Sequence, residues 1–163
     1  MLSFSDSDFQ PLETFSLTWR WTDVRWNKLP EGTLSQIKPV TETKAKELWR
    51  IAGHYVLSNG PRVNLFKCSP WFDASINLPD AEGKVRNWLR NHVHESDYET
   101  IVSWDHSTAV QTTWSVFCDY WDDFCYPGSD DVTVFPPSFD WVVFYEHGER
   151  FVFGKRIMLE PST

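Results

Sequence analysis

The sequence predicts a single α+β domain over residues 1–163, in which a mainly antiparallel sheet packs against about three helices. Three observations predict this class. Short segments rich in β-branched and aromatic residues lie near both ends of the chain. Between them are stretches whose apolar residues recur at helical spacing. The length of 163 residues also suits one domain better than two.

The first third of the chain predicts a strand and then a helix. Residues 1–10 are polar, and we expect them to be loose. From Phe15 to Trp21 large apolar residues alternate with polar ones, which is typical of a half-buried strand. In the helix that follows, Thr41 or Thr43 can serve as the N-cap and Gly53 can end the last turn. Its predicted inner face consists of Ala45, Leu48, Trp49 and Ala52.

The middle of the chain predicts a second helix and a strand. Asp80 follows a proline and suits the N-cap position. The residues that recur at helical spacing after it are Val85, Trp88, Leu89 and His92. The apolar run from Ile101 to Trp104 predicts a strand.

The longest predicted helix begins at Thr108. Thr108 and Gln111 fit the T-x-x-Q capping box. Pro127 and Gly128 are expected to end the helix. Seven apolar residues fall within an arc of roughly 120° on this helix: Val110, Trp114, Phe117, Cys118, Trp121, Phe124 and Cys125. The opposite side carries Asp119, Asp122 and Asp123.

The C-terminal part predicts a short strand at Val132–Phe135 and a β-hairpin. The hairpin strands are Trp141–Tyr145 and Arg150–Phe153, joined by a two-residue His147–Gly148 turn. That turn places Phe144 opposite residue 151 and Val142 opposite residue 153. Both faces of the hairpin are apolar, so we expect it to be central in the sheet or covered on one face by a partner.

The charge of the chain is unevenly distributed. The formal net charge is -8. Residues 1–90 carry twelve Lys or Arg and ten Asp or Glu, whereas residues 91–149 carry no Lys or Arg and twelve acids. Nucleic-acid affinity depends on Lys and Arg that neutralise phosphates, so we expect no nucleic-acid partner. An acidic surface suits a basic protein partner, although acids can also serve only to keep a Trp-rich protein soluble.

Composition and motifs also limit compartment and cofactor. No apolar run is long enough to span a membrane, and the N-terminal residues show no secretory signal. Three cysteines are too few for a disulfide scaffold, so we expect a cytoplasmic protein. The seven glycines form no phosphate-binding motif, and we therefore predict no cofactor.

An enzyme remains the alternative reading. Asp105 and His106 resemble part of a catalytic triad that Ser107 or Cys118 would complete as nucleophile. Asp and Ser are equally typical of a cap before the predicted helix, and no G-x-S-x-G motif accompanies them. The histidines and acids within residues 92–97 could hold a metal, but a histidine at the end of a helix is the more ordinary explanation.

The preferred interpretation is a protein-binding surface. Clustered carboxylates would steer and pair with Lys or Arg, and rigid aromatic side chains would anchor the partner. The predicted partner-binding residues are Asp119, Asp122, Asp123, Asp130, Asp131, Tyr120, Tyr126 and Trp141. The alternatives are that these acids form a solvated face, or that the doubly apolar hairpin is the interface of a homo-oligomer.

A resemblance of size and composition points the same way. The segment Trp121–Asp131, followed by the hairpin Trp141–Phe153, resembles parts of small, acidic, Trp-rich bacterial proteins that are uncharacterised or act as immunity proteins of toxin systems. The resemblance covers residues 100–156 and includes no defining motif. It implies a non-enzymatic protein that neutralises a basic toxin by covering its active site, and it assigns no functional residue.

Overall fold

The fold is organised around one large antiparallel sheet with helices on both of its faces. The computed structural model describes residues 2–95 and 97–158. The α+β class, the antiparallel sheet and the C-terminal hairpin are confirmed. Met1, Ser96 and residues 159–163, which belong to the predicted domain 1–163, lie outside the described residues.

The helices of the described part of the chain are α1 Trp19–Thr22, α2 Glu31–Leu34, α3 Glu42–Ala52, α4 Ala81–His92, α5 Trp114–Asp119 and α6 Trp121–Phe124. Two single 3₁₀ turns, Asp6–Asp8 and Leu12–Thr14, precede them. None of these helices combines the length and the apolar character that a bilayer-spanning helix needs. The strands are β1 Lys38–Pro39, β2 Val56–Leu57, β3 Gly60–Pro61, β4 Phe66–Cys68, β5 Phe72–Asp73, β6 Glu99–Asp105, β7 Thr108–Thr113, β8 Val132–Phe135, β9 Trp141–Glu146 and β10 Arg150–Arg156.

The main sheet has the strand order β1-β7-β6-β8-β9-β10-β4, and β5 also pairs with β10. Strands β2 and β3 form a separate two-stranded ribbon. Alternate residues of β8 and β9 belong to two hydrophobic clusters, one on each face of the sheet. Helices α1, α4, α5 and α6 cover the first face, and α3 covers the second face. The central strands are therefore apolar on both sides because helices cover both sides.

Helix α3 matches its prediction in extent. The Thr41 hydroxyl accepts a hydrogen bond from the Lys44 backbone N–H at 3.2 Å and so caps the helix. Leu48 is fully buried, as predicted, but Trp49 is 45% exposed. Helix α4 also forms, although Asp80 has a left-handed φ of 53° and its side chain makes no capping hydrogen bond.

Two predicted elements are wrong in type. The segment predicted as a strand from Phe15 to Trp21 is a turn followed by α1. It packs by stacking Phe15 on Trp21, with ring centroids 5.8 Å apart, and both rings contact Trp104 of β6. No neighbouring strand in the described part of the chain pairs with this segment. Its alternating aromatic residues therefore reflect a turn that packs against the sheet.

The predicted helix from Thr108 to Cys125 is instead a strand and two short helices. Residues Thr108–Thr113 form β7, which pairs with β6 from Glu99 to Asp105. Thr113 then caps α5 by accepting a hydrogen bond from the Val116 backbone N–H at 3.2 Å. The helical geometry breaks at Tyr120, whose φ and ψ are -125° and 28°. The T-x-x-Q motif at residue 108 therefore lies in a strand and caps no helix.

The C-terminal hairpin forms with a register one residue away from the prediction. Phe151 pairs with Tyr145, and Phe153 pairs with Val143. The loop has three residues because Glu149 adopts a left-handed φ of 62° and takes part in the turn. A left-handed residue at the end of a three-residue loop is a common hairpin geometry. The hairpin is central, since β9 is flanked by β8 and β10.

The N-terminal segment, which the sequence predicts to be loose, contacts the rest of the fold at several points. The Leu2 backbone N–H donates to the Pro137 carbonyl at 3.2 Å, and Phe9 forms a β-bridge with Val40. Lys44 of α3 donates to the Ser3 carbonyl at 3.0 Å. Residues 2–10 thus cover part of the second face beside α3.

Candidate functional site

Three carboxylates come together where the first turn of α6 meets the first turn of α4. The indole Nε1 of Trp121 donates a hydrogen bond to the Glu82 carbonyl at 3.2 Å, which fixes α6 against α4. Asp122 and Asp123 follow in the first turn of α6. The amide Nδ2 of Asn27 donates to the Asp123 carboxylate at 2.9 Å. Within the described residues, no Lys or Arg forms a salt bridge with any of these three acids.

The carboxylates disfavour one another's ionised form. Burial raises the pKa of Asp123 from its ordinary value of 3.8 to about 6, and the charges of Asp122 and Glu82 add to this increase. Burial likewise raises the pKa of Asp122, with a further contribution from the neighbouring Glu82 carboxylate. The hydrogen bond from Asn27 acts in the opposite direction on Asp123 but is outweighed. The folded protein therefore holds ionised carboxylates here at an energetic cost at neutral pH.

Aromatic side chains border this group of acids. Trp26 is 63% exposed and precedes Asn27, the hydrogen-bond partner of Asp123. Trp26 meets Trp19 edge to face at 5.6 Å between centroids, and Trp19 meets Tyr126 in the same way at 5.6 Å. The acidic–aromatic surface is defined here by six side chains: Glu82, Asp122, Asp123, Trp19, Trp26 and Tyr126.

Asp130 does not belong to a free acidic surface. It is buried and accepts hydrogen bonds from both terminal nitrogens of Arg20, at 2.6 and 3.2 Å. The Tyr126 backbone N–H donates to the same carboxylate at 2.9 Å. The guanidinium of Arg20 also lies 4.0 Å from the centroid of the Tyr126 ring. Asp130 is therefore a buried structural counterion, and its prediction as a partner-binding residue is not supported by its position.

Asp119 is also engaged within the chain. Its carboxylate forms a salt bridge with Arg90 of α4, and its backbone carbonyl accepts a hydrogen bond from Arg86 at 3.1 Å. These contacts join the end of α5 to α4. Tyr120, which follows Asp119 at the break between α5 and α6, is half-buried and packs against the first-face core.

Trp141 cannot anchor a partner in this structure, because only 5% of its surface is exposed. It packs against Trp114 with centroids 4.8 Å apart, and it also contacts Tyr98 and Phe153. Its position in β9 explains this burial, since residues 141, 143 and 145 all face the first-face core.

Asp131 lies on the other side of the sheet. It lines a pocket on the second face together with residues of α3. Its Oδ1 atom accepts hydrogen bonds from the backbone N–H and from Nδ1 of His147, at 3.0 and 2.9 Å. The hydrogen bond to Asp131 raises the pKa of His147. The sheet therefore separates Asp131 from Asp122 and Asp123, and the predicted acids do not form one continuous patch.

The residues that the sequence reasoning missed come from the N-terminal half. Trp19 lies in the segment that the sequence predicts to be a strand, and Trp26, Asn27 and Glu82 are not among the predicted site residues. One signal was available for Trp26: the polar stretch from Asp23 to Lys28 contains two large apolar residues, and both are exposed in the structure. The proximity of Glu82 to Asp122, 40 positions later, has no local signal.

The alternative catalytic group is not assembled. The Asp105 carboxylate accepts hydrogen bonds from the Ser107 backbone N–H and hydroxyl, at 2.8 and 3.0 Å, and so stabilises the turn between β6 and β7. Cys118 is fully buried, and burial raises the pKa of its thiol to about 12. Within residues 2–95 and 97–158, no group of three or more His, Cys, Asp or Glu side chains could hold a metal ion.

Comparison with known proteins gives one match. The model of the family described as "Protein of unknown function (DUF2947)" matches residues 9–152, which include the whole acidic–aromatic surface. The searches of curated proteins and of solved structures give no match. The match thus shows a family without a named activity, and it adds nothing to the resemblance to immunity proteins.

Proposed function

We propose that this chain, which belongs to that family of unknown function, is a non-enzymatic protein-binding module that holds a basic partner through its acidic–aromatic surface. One observation carries the proposal: Glu82, Asp122 and Asp123 are packed together, and no Lys or Arg of the described residues forms a salt bridge with them. The charge of Arg86 lowers the pKa of Asp122, but burial and Glu82 outweigh it. Binding a basic protein is the function that this arrangement supports best.

The energetics of the three carboxylates favour a cationic ligand. A Lys or Arg placed beside Asp122 and Asp123 would lower both pKa values, because an opposite charge stabilises the ionised form. The unfavourable energy that the free protein stores at neutral pH would then be released on binding. Asp119 and Asp130 already form salt bridges with Arg90 and Arg20. A cationic partner would therefore release no such energy at these two acids.

The aromatic part of the surface provides the second requirement of a protein interface. Exposed Trp and Tyr side chains next to a charged group are typical of residues that dominate binding energy. Trp26 projects into solvent, Trp19 packs edge to face against it, and Tyr126 packs edge to face against Trp19. Arg or Lys side chains of a partner could pair with the acids and also stack on these rings.

The proposal is tested by capture with matched variants. The immobilised chain is exposed to a lysate of its native host at low salt, and the captured protein is identified and purified. The site variant carries Glu82→Gln, Asp122→Asn and Asp123→Asn. The control carries Glu13→Gln, Asp97→Asn and Asp140→Asn, three exposed acids outside the surface, so both variants have the same net charge. We expect the control to retain the partner and the site variant to lose it.

Calorimetry with the purified partner gives a sharper criterion. At pH 6 the carboxyl of Asp123 is partly protonated, so a cation that binds beside it must release protons. The binding enthalpy would then change with the ionisation enthalpy of the buffer, and this dependence would disappear in Asp123→Asn. Equal capture by the two triple variants, or binding without proton release, would contradict the proposal.

The narrower form of the proposal is an immunity protein that covers the active site of a basic toxin. Its support is the resemblance in size and composition over residues 100–156. The test is growth: cells that express a basic toxin domain encoded beside this gene should survive when the chain is co-expressed. The site variant should fail to protect them, and the matched control should protect them. If the site variant and the control both protected the cells, the immunity function would not depend on the acidic–aromatic surface.

A further inference from the structure

A second site lies on the opposite face of the sheet from the acidic–aromatic surface. It is a pocket of about 240 Å³ between the end of α3, the β2–β3 ribbon and strands β8 and β9. Six of its lining residues carry the argument: Trp49, Val56, Leu57, Thr133, Phe144 and Asp131. We propose that this pocket binds a small organic cation, with one aromatic ring against the apolar walls and a protonated amine at Asp131.

The walls of the pocket are apolar although they face solvent. Trp49 is 45% exposed and Leu57 is 44% exposed, so both present large apolar surfaces at the rim. Thr133 and Phe144 are partners across β8 and β9 and form the floor. A rigid sheet floor and helical wall favour a pre-formed ligand site over a surface that has collapsed on itself.

The main polar group in the lining of the pocket is the carboxylate of Asp131. Among the described residues no Lys or Arg lines the pocket, and Asp131 is the one formally charged lining group. The Oδ1 atom of Asp131 accepts both hydrogen bonds from His147, whereas Oδ2 accepts none from the described part of the chain. Asp131 is half-exposed, with 53% of its side chain accessible. An ammonium group can therefore reach Oδ2 without displacing the imidazole.

The volume limits the size of the ligand. A water molecule occupies about 30 Å³ of liquid, so the pocket has the volume of about eight waters. Pockets for drug-sized ligands begin near 300 Å³, so this pocket suits a smaller molecule. One ring with a short amine chain fits this limit, and the aromatic rings of Trp49 and Phe144 suit such a ring by stacking or by edge contacts.

The test uses three probes of nearly equal shape and different charge: 2-phenylethylammonium, 2-phenylethanol and phenylacetate. Binding to the full chain is followed by ¹H–¹⁵N NMR, in which the ten Trp indole N–H groups are local reporters. We expect 2-phenylethylammonium to bind about tenfold more tightly than either other probe, as a hydrogen bond to a charged group predicts. The indole signal of Trp49 should shift, and that of Trp26 should not.

Two variants locate the charge preference, and a third tests the apolar wall. Asp131→Asn keeps an acceptor for the His147 backbone N–H, and it should reduce the preference for the amine to less than about threefold. Asp140→Asn removes one exposed acid outside the pocket and should leave the preference unchanged. Leu57→Ala shortens an exposed wall residue and should weaken the amine and the alcohol equally. Absence of binding to the wild-type chain, equal affinities for the three probes, or the same effect of Asp131→Asn and Asp140→Asn would overturn the proposal.

Discussion

The negative charge of Asp123 in the folded state should reduce the stability of the protein at neutral pH. Only 8% of this residue is exposed, and burial together with the charges of Asp122 and Glu82 raises its pKa to about 6 from an ordinary 3.8. Each tenfold change in proton affinity corresponds to about 1.4 kcal/mol. Ionised Asp123 therefore costs the folded state about 3 kcal/mol at pH 7.

The sign of the pH dependence follows from proton binding. Between pH 4 and 6 the folded state keeps a proton on Asp123 that the unfolded state has lost. The free energy of unfolding therefore falls as the pH rises through this window. Asp123→Asn removes the titration, while its amide oxygen can still accept the hydrogen bond from Asn27. We expect the variant to be more stable than the wild type by up to about 3 kcal/mol at pH 7 and similar to it at pH 4.

The measurement is urea unfolding at pH 4, 5, 6 and 7, followed by Trp fluorescence. Asp119→Asn is the matched control, because Asp119 is partly exposed and paired with Arg90. Its removal should destabilise the protein by less than about 1 kcal/mol at pH 7. Asp122→Asn should lower the midpoint of the Asp123 titration, because one repelling charge is removed. A stability difference between Asp123→Asn and wild type that does not grow from pH 4 to pH 7 would refute the reasoning.

Three further predictions concern the core. Arg20→Met should destabilise the protein by about 3–5 kcal/mol in urea unfolding, because it leaves Asp130 buried without its counterion. Gly154→Ala should cost about 1–3 kcal/mol in the same assay, since the added Cβ would lie 2.9 Å from the Phe66 Cβ, whereas Gly32→Ala meets no atom within 4 Å and should be neutral or stabilising. With a thiol reagent under native conditions Cys68 should react alone and slowly, because Cys118 and Cys125 are buried; fast reaction of Cys118 would favour the enzyme alternative.

The fold class could be predicted from the sequence because local patterns in most of the chain agree with the final packing. Helix α3 has a cap and an apolar stripe, and the C-terminal hairpin has β-branched and aromatic strands. The failure at residues 108–125 has a physical cause. Val110 of β7 and Phe117 of α5 face the same core, so their spacing imitates one continuous helix. Residues 108–113 form a strand and not a helix because they pair with β6. The spacing of apolar residues does not indicate this pairing.

The acidic site, like β7, depends on contacts between distant parts of the chain, so the sequence predicts only some of its residues. The absence of Lys and Arg from residues 91–149 shows that these acids need cations from elsewhere, but it does not show which acids receive them. Arg20 reaches Asp130 across 110 positions, and Arg90 reaches Asp119 across 29 positions. Such contacts depend on the folded topology, which places α1 and α4 on the same face of the sheet as α5 and α6.

The distribution of these cations determines which surface is available to a partner. Arg20 and Arg90 each neutralise one acid near α6, and Arg86 is used at the Asp119 carbonyl and contributes only weakly at Asp122. The two carboxylates left in α6 are those of Asp122 and Asp123, and Asp123 is hydrogen-bonded to Asn27, which follows the exposed Trp26. If the acids served only solubility, full exposure would give the same benefit without the cost of burying Asp123. The presence of a buried, destabilising carboxylate hydrogen-bonded to the neighbour of an exposed tryptophan therefore supports the proposed cationic ligand over solvation alone.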